Sequence, residues 1–207
     1  MHKKWRHGTH VPVLRYISKK VLCKNVMEFG AGAFSTSTFL DKNYFKDLLS
    51  LHSYESNDNW IKLLKKNFEQ DERFCLHKIS EKVEKLKDYK YIDADILFVD
   101  GPSLEHRVFV VKKMKHLAPI CILHDAAPKK LNAKRSKLNR LIKLFKYKSF
   151  FYPPNNVNPT SILSNSVDVS SWASEIVWSD DYKNILVGFG GKHAQNVKGT
   201  VYRSKKK

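Results

Sequence analysis

The sequence has no long apolar run, few cysteines and few acidic residues. None of its apolar stretches approaches the roughly 18 residues that a membrane-spanning helix needs. The amino terminus is basic, but it lacks the apolar segment of a signal peptide. We therefore expect an intracellular, cytoplasmic protein with no membrane span.

The three cysteines argue against a disulfide framework and against a cysteine-bound metal. Cys23, Cys75 and Cys121 are odd in number, far apart and set in apolar stretches. Disulfide frameworks and zinc sites instead show cysteines at close, regular spacings. These three residues are predicted to be reduced and to lie in the core.

Acidic residues are outnumbered by basic ones. The 20 acidic side chains stand against 38 lysines and arginines, which gives a formal net charge of +18. The basic residues are concentrated in segments 3–20, 129–148 and 203–207. Such segments attract nucleic acid or another polyanion through contacts that do not depend on base sequence. They are also compatible with a solvated basic surface, so the charge alone names no substrate.

Alternating strand and helix patterns predict an α/β protein. The length fits a single domain, with an N-terminal cap segment (1–24), a core (25–190) and a basic tail (191–207). Strands joined by helices predict a doubly wound, mostly parallel sheet with helices on both faces. Two short apolar stretches, 175–178 and 185–189, predict a C-terminal antiparallel hairpin.

The predicted elements follow from hydrophobic periodicity and from turn residues. Strands are predicted at 26–29, 51–55, 73–79, 94–100 and 119–123. A glycine turn followed by a helix is predicted within 5–20, and more helical structure within 33–49 with an interruption near Asn43. Further helices are predicted from a cap at Ser56 or Asn57 to Phe68, over 80–89 and 104–117, and in a basic segment over 129–147. Residues 152–166, with three prolines and four asparagines, are predicted to form a loop.

The most informative stretch is 25–40, which reads NVMEFGAGAFSTSTFL. An apolar strand carrying Glu28 breaks at Gly30 and Gly32, and polar residues then begin a helix. Glycine permits positive φ and close approach of a ligand. The free N–H groups at the start of a helix favour a negatively charged or carboxylate-bearing ligand. The stretch predicts a nucleotide-like cofactor site, with a purely structural glycine turn as the alternative.

Polar side chains recur where the predicted strands end. They are found at residues 28–32, Glu55, Ser80, residues 100–102, and His124 with Asp125. In a doubly wound sheet the ligand crevice lies outside the carboxyl ends of the strands. Packing does not account for polar residues at four or five successive strand ends. We interpret them as one ligand-binding edge of the sheet, which we call the rim.

This ordered set resembles the class I S-adenosylmethionine-dependent methyltransferases, in particular the small Rossmann-like branch with an E-x-G-x-G-x-x-S-T loop. The likeness extends over residues 8–190. It is carried by G-T-H-V-P-V-L at 8–14, E-F-G-A-G-A-F-S-T at 28–36, Glu55, F-V-D-G-P at 98–102 with Arg107 beyond it, and I-L-H-D-A at 122–126. The resemblance implies methyl transfer from S-adenosylmethionine to an acceptor.

The resemblance also implies how the glycine loop would hold this cofactor. Gly30 and Gly32 would let the backbone approach the methionyl part. Glu28, together with the Ser35 and Thr36 region, would hold its amino and carboxylate ends. The loop is therefore expected to be the main cradle for S-adenosylmethionine.

The resemblance gives the rest of the rim distinct expected roles. Glu55 would accept hydrogen bonds from both ribose hydroxyls, Ser80 would lie against adenine, and Asp100 would lie beside the sulfonium. Methyl transfer is an in-line displacement, for which a protein supplies orientation and, where the acceptor carries a proton, a base. The predicted catalytic candidates are Asp100, His124 and Asp125, with a histidine bonded to backbone at a strand end as the alternative interpretation of His124. Weaker candidates for the base are His10 and His106.

No metal ion is predicted at the site. Asp100 and Asp125 resemble two metal-binding acids of the magnesium-dependent, catechol-type methyltransferases, in which a divalent cation lowers the pKa of the acceptor hydroxyl. The asparagine expected after the second acid is Ala126 in this chain. We therefore expect a chelator to leave activity intact.

Three functions compete for these features. The first is an S-adenosylmethionine-dependent methyltransferase whose acceptor is a polyanion, such as RNA or an acidic glycan, or a small hydroxylated metabolite. The alternative is a non-catalytic module of the same fold that binds nucleic acid or a protein partner through its basic faces. A nicotinamide-dependent oxidoreductase is disfavoured, because Phe34 occupies the region of the third glycine of a dinucleotide loop.

Overall fold

A computed structural model describes residues 8–89, 91–101, 103–128, 136–154 and 158–179. The strands of its sheet are β1 Asn25–Phe29, β2 Ser50–Glu55, β3 Phe74–Lys78, β4 Ile96–Val99, β5 Ile120–His124, β6 Tyr147–Phe151 and β7 Thr160–Ser164. Their order across the sheet is β3-β2-β1-β4-β5-β7-β6. Strands β1 to β5 are parallel, whereas β7 is antiparallel to both β5 and β6. The predicted mostly parallel α/β sheet is therefore confirmed.

Helices cover both faces of the sheet. They are α1 Val11–Ile17, α2 Ala33–Leu40, α3 Asp58–Phe68, α4 Leu104–Met114, α5 Ser136–Ile142, α6 Trp172–Glu175 and a 3₁₀ helix at Val83–Asp88. On one face, α1, α2 and α6 pack with Val26, Ile96 and Phe98. On the other face, α4 and α5 pack with Met27 and Leu97. Successive residues of one strand thus face opposite helix layers, as a strand buried on both sides requires.

The antiparallel pair does not lie where the sequence predicts it. Residue 175 belongs to α6, and residues 176–179 form no strand. The other predicted partner, 185–189, falls outside the described residues. Strands β6 and β7 form the pair instead, so a C-terminal antiparallel pair is present but its predicted position is wrong.

Strand β7 lies inside 152–166, which the sequence predicts as a loop. The strand is buried along its whole length although it contains two serines and a threonine. The hydroxyls of Ser161 and Ser164 donate hydrogen bonds to the backbone carbonyls of Ala126 and Pro119. These bonds satisfy the buried serines, which is why the polar composition of the segment is misleading.

Two helix boundaries also correct the prediction. Helix α2 ends at Leu40, and residues 41–49 form turns and irregular structure instead of more helix. The Asp41 carboxylate accepts a hydrogen bond from the backbone N–H of Asn43 at 2.9 Å, an arrangement that competes with helix continuation. The predicted basic helix 129–147 is described only as α5, and Tyr147 already begins β6.

The predictions for the cysteines, for a membrane span and for the basic segments have different outcomes. Cys23 and Cys121 are buried and Cys75 is half-buried, and all three are free thiols. Within the described ranges, no helix combines the length and the apolar character needed to cross a membrane. Basic segment 203–207 and residues 129–135 lie outside the described part of the chain, so their predicted contacts stay predictions.

Candidate functional site

Gly30 follows β1 in a backbone conformation that residues with a side chain rarely adopt. Its φ of 85° lies in the left-handed region. A Cβ atom built at this position would lie 2.2 Å from the carbonyl oxygen of Asp100. The carboxyl ends of β1 and β4 can therefore approach each other this closely only because residue 30 is glycine.

Gly32 has a different role, because its φ of −166° is ordinary extended backbone. A Cβ atom built there would meet no other atom within 4 Å. The loop therefore borders open space directly before the first turn of α2. A ligand in that space could approach the backbone N–H groups that begin the helix.

Glu28 lies fully buried beneath the glycine loop. Its carboxylate accepts a hydrogen bond from the Thr36 hydroxyl at 2.8 Å and another from the Ser53 hydroxyl. The Thr36 oxygen in turn accepts one from the backbone N–H of Gly32 at 3.2 Å. This chain of bonds fixes the path of the loop from below. Direct contacts of Glu28, Ser35 and Thr36 with a cofactor stay predictions.

Burial makes Glu28 a pH-dependent element of the fold. It raises the pKa of this carboxyl from 4.5 to about 7, although hydroxyls of Ser35, Ser53 and Thr36 lower it in part. Between those two pKa values the folded chain holds a proton that the unfolded chain has lost. The contribution of Glu28 to stability therefore falls as pH rises through this window and stays low above it.

We expect Glu28→Gln to raise the melting temperature by roughly 5 °C at pH 8 and to change it little at pH 5. The amide keeps the shape of the side chain, carries no charge and so avoids the cost of burying an ionised group. Thermal melts of both proteins at both pH values give the result. Glu69→Gln, at an exposed glutamate just after α3, is the matched control. An equal shift at both pH values would contradict this account.

Glu55 ends β2 with its carboxylate held by the following turn. One oxygen, Oε1, accepts hydrogen bonds from the backbone N–H groups of Ser56 and Asn57, both at 2.8 Å. The Asn57 side chain then caps α3 by accepting from two backbone N–H groups, which confirms one of the two predicted caps. These bonds fix the carboxylate at the rim in one orientation, which suits recognition of two adjacent hydroxyl groups.

Arg107 on α4 joins the ends of β4 and β5. Its guanidinium donates to Oδ1 of Asp100 at 2.8 Å, to the Gly101 carbonyl at 3.0 Å and to the His124 carbonyl at 2.8 Å. It also lies 3.7 Å from a carboxylate oxygen of Asp125. A planar group with five donors can make all these contacts at once. One buried cation thus holds both rim carboxylates at fixed positions.

His124 ends β5 and is buried among side chains. Its Nδ1 lies 3.0 Å from the hydroxyl oxygen of Thr160 on β7. Its Nε2 lies 3.6 Å from Oδ1 of Asp125. The rings of His10 and His124 make an edge contact with 4.6 Å between centroids. Among the described residues the imidazole bonds to a side chain and not to backbone, contrary to the alternative interpretation of this residue.

Asp125 is strained and incompletely bonded. Its φ of 58° lies in the left-handed region, which is uncommon for a residue with a side chain and concentrates at functional sites. Its Oδ1 atom is buried and accepts no hydrogen bond from any described residue. A buried carboxylate oxygen without a donor costs free energy, and Asp125 carries that cost at Oδ1.

The structure brings the predicted residues to one edge of the sheet. Glu28, Glu55 and His124 lie at or next to the ends of β1, β2 and β5, and Asp100 directly follows β4. Ser80 follows β3 at the outer end of the row. The predicted rim is thus a real feature of the fold, whereas the roles assigned to its residues stay predictions.

Three further residues belong to the site, and the sequence signals for them are weak or absent. Arg107 is part of the family likeness alone, although a basic residue one turn into the helix after Asp100 is a readable signal. His10 is only a weaker candidate from the sequence, because nothing in it brings residue 10 next to residue 124. Thr160 had no signal, since it lies in the segment predicted as a loop.

Comparison with known proteins places the fold. No protein-family description matches the sequence, and no curated protein matches it either. Solved structures do match. They include a protein from Staphylococcus aureus provisionally named a caffeoyl-CoA O-methyltransferase, with a TM-score of 0.55, 12% identity and coverage of 74% of this chain and 82% of that one.

Two further structures widen the comparison. Aeropyrum pernix fibrillarin, solved with bound S-adenosyl-L-methionine, gives a TM-score of 0.52 at 10% identity, covering 68% of this chain and 66% of that one. Spermidine synthase from Thermotoga maritima gives a TM-score of 0.58 at 13% identity, and the match covers 93% of this chain and 76% of that one. At such low identity the likeness shows the fold alone. The chain has the class I methyltransferase fold.

Proposed function

We propose that this chain is an S-adenosylmethionine-dependent methyltransferase. The observation that supports it best is the combination on one rim of a glycine loop open at Gly32 and an oriented carboxylate at Glu55. Asp100, held by Arg107, lies beyond them. The fold likeness adds support, because one similar structure contains S-adenosyl-L-methionine and another carries an O-methyltransferase name.

The residues of the rim fit this cofactor. The open space at Gly32 would admit its methionyl part, and the start of α2 would face its carboxylate. Glu55 would bind both ribose hydroxyls, and Ser80 would lie against adenine. When bound, S-adenosylmethionine supplies an activated methyl group on its sulfonium, and we place Asp100 beside that group.

The far end of the rim would receive the acceptor. There the protein orients the acceptor and, where it carries a proton, provides a base. His124 suits the role of base, because Thr160 bonds to Nδ1 and Nε2, which lies 3.6 Å from Oδ1 of Asp125, is the nitrogen left to accept a proton. Asp100 and Asp125 already face the Arg107 guanidinium, so we assign them to positioning.

Calorimetric titration with S-adenosylmethionine tests the proposal, with two glycine variants as a matched pair. We expect wild type to bind and Gly32→Ala to keep its melting temperature but bind at least ~10-fold more weakly, because the added methyl group fills the open space. Gly30→Ala should instead melt earlier, because its Cβ would collide with the Asp100 carbonyl. No binding by wild type would refute the proposal, and unchanged affinity in Gly32→Ala would refute the placement of the cofactor.

We further propose that the acceptor is a polyanion, either RNA or an acidic glycan. The support is the net charge of +18 and its concentration in the three basic segments. If RNA binds through several phosphate contacts, affinity for an RNA oligonucleotide should fall at least ~10-fold between low and moderate salt. A flat salt response would favour the small hydroxylated metabolite. RNA binding without S-adenosylmethionine binding would favour the non-catalytic module.

A further inference from the structure

Two buried histidines and a carboxylate converge at the end of the rim. One possible ligand atom from each of His10, Asp100 and His124 lies within 4.8 Å of the other two. Both histidines are only 4% exposed, and His10 is held by ring contacts to Phe98 and His124. We propose that this cluster binds a divalent transition-metal ion, with zinc as the best match.

The donor set decides the class of ion. Two imidazoles with a carboxylate suit zinc and its first-row neighbours, whereas magnesium and calcium prefer oxygen ligands alone. Ligand atoms about 2.1 Å from a tetrahedral zinc lie about 3.4 Å from one another. Side-chain shifts on the order of 1 Å would therefore bring the three atoms to bonding distance.

The surroundings hold His124 as a metal ligand should be held. The imidazole of a metal-bound histidine usually donates its other N–H to an oxygen, which fixes the tautomer. Here Nδ1 lies 3.0 Å from the hydroxyl oxygen of Thr160, and Thr160 is fully buried. With the proton assigned to Nδ1, the lone pair of Nε2 is left for the ion.

Asp125 supplies a second, independent indication. Its Oδ1 is buried, accepts no hydrogen bond from a described residue and lies 3.6 Å from Nε2 of His124. That spacing is close to the edge of a zinc coordination tetrahedron, so a cation between the two atoms would satisfy this oxygen. Two carboxylates also outnumber the single Arg107 guanidinium, which leaves the cluster negative. Asp125 lies outside the three-residue cluster but next to His124, and we place it as the fourth ligand of the ion.

This site differs from the all-oxygen arrangement that the sequence disfavours. The all-oxygen arrangement needs two acids and an asparagine, which is Ala126 in this chain, whereas two of the donors proposed here are histidines. The metal site concerns binding alone and does not depend on methyl transfer. Where the proposed function also holds, His124 could not serve as a base while it binds the ion. The ion would instead lower the pKa of a coordinated acceptor hydroxyl.

Titration calorimetry on the untagged, chelator-treated chain of residues 1–207 tests this inference. We expect one zinc ion to bind per chain with an affinity far above that of magnesium. His10→Gln and Asp100→Asn should each weaken zinc binding roughly 100-fold. His52→Gln is the matched control, because His52 and His77 form a separate pair with ring nitrogens 3.0 Å apart, and it should leave the binding at the cluster unchanged.

Two results would overturn the inference. One is wild-type protein that binds no zinc. The other is zinc binding that survives both His10→Gln and Asp100→Asn, and its loss in His52→Gln would then assign the ion to the pair formed by His52 and His77. Circular dichroism melts identify a variant that fails to fold, in which case the remaining variant decides. Zinc binding without S-adenosylmethionine binding would refute the methyltransferase proposal and leave the metal site standing. S-adenosylmethionine binding without zinc binding would refute the metal site and leave the methyltransferase proposal standing.

Discussion

Replacing Glu55 with alanine is expected to weaken S-adenosylmethionine binding at least ~100-fold while the chain stays folded. The backbone N–H groups of Ser56 and Asn57 hold the Glu55 carboxylate in one orientation. From that position it would accept a hydrogen bond from each ribose hydroxyl, and bonds to a charged group contribute roughly 1.5–3 kcal/mol each. Two such bonds account for the expected loss, and calorimetric titration measures it.

Two variants make the Glu55 result specific. Glu69→Ala removes an exposed glutamate near the end of α3 and should leave the affinity unchanged. Glu55→Asp keeps the charge on a shorter side chain, so we expect an intermediate affinity. Melting curves show whether loss of the turn contacts disturbs α3. Wild-type affinity in Glu55→Ala would show that the ribose does not bind at the end of β2.

Replacing Arg107 with methionine is expected to lower the melting temperature by roughly 10 °C. The Arg107 and Asp100 side chains are only 11% and 15% exposed, so the variant leaves a largely buried carboxylate without its cation. It also leaves the carbonyls of Gly101 and His124 without their donor. Removing one partner of a buried ion pair costs about 3–5 kcal/mol, and thermal melts measure the effect.

Matched variants distinguish the effect of the charge of residue 107 from the effect of its several hydrogen bonds. Arg107→Lys keeps the charge, but an ammonium group cannot contact Asp100, Gly101 and His124 together, so an intermediate loss is expected. Arg140→Met removes an exposed arginine from α5 and should change little. Combining Arg107→Met with Asp100→Asn should recover part of the loss, because no unpaired charge is then buried. A wild-type melting curve for Arg107→Met would show that the ion pair does not hold the strand ends together.

The parallel half of the sheet could be predicted because burial on both faces leaves a readable pattern. The apolar run ending at Asp100 contains β4 Ile96–Val99, and each of its residues is fully buried. Strand β7 gave no such pattern, because its serines are satisfied by backbone carbonyls that come from distant parts of the chain. Periodicity reports apolar burial, and it does not report polar burial that hydrogen bonds make possible.

Some contacts of the candidate site could likewise be predicted from the sequence, and others could not. Glu55, Asp100 and His124 could be predicted because parallel strands bring their carboxyl ends to one edge whatever the helices do. The burial of Glu28 under Thr36 and Ser53 could not, because it depends on how α2 and β2 pack. The approach of His10 to His124 depends on the docking of α1, which no local signal reports. Strand ends locate a site, and packing decides the contacts within it.

The position of β7 between β5 and β6 sets an order of assembly. Until the chain beyond residue 164 has left the ribosome, β5 has one unpaired edge, which is a hazard for aggregation. Thr160 also reaches His124 only when β7 inserts beside β5. The end of the rim that orients His124 is therefore completed only after β7 has been synthesised, later than the strands that precede the glycine loop and the Glu55 turn.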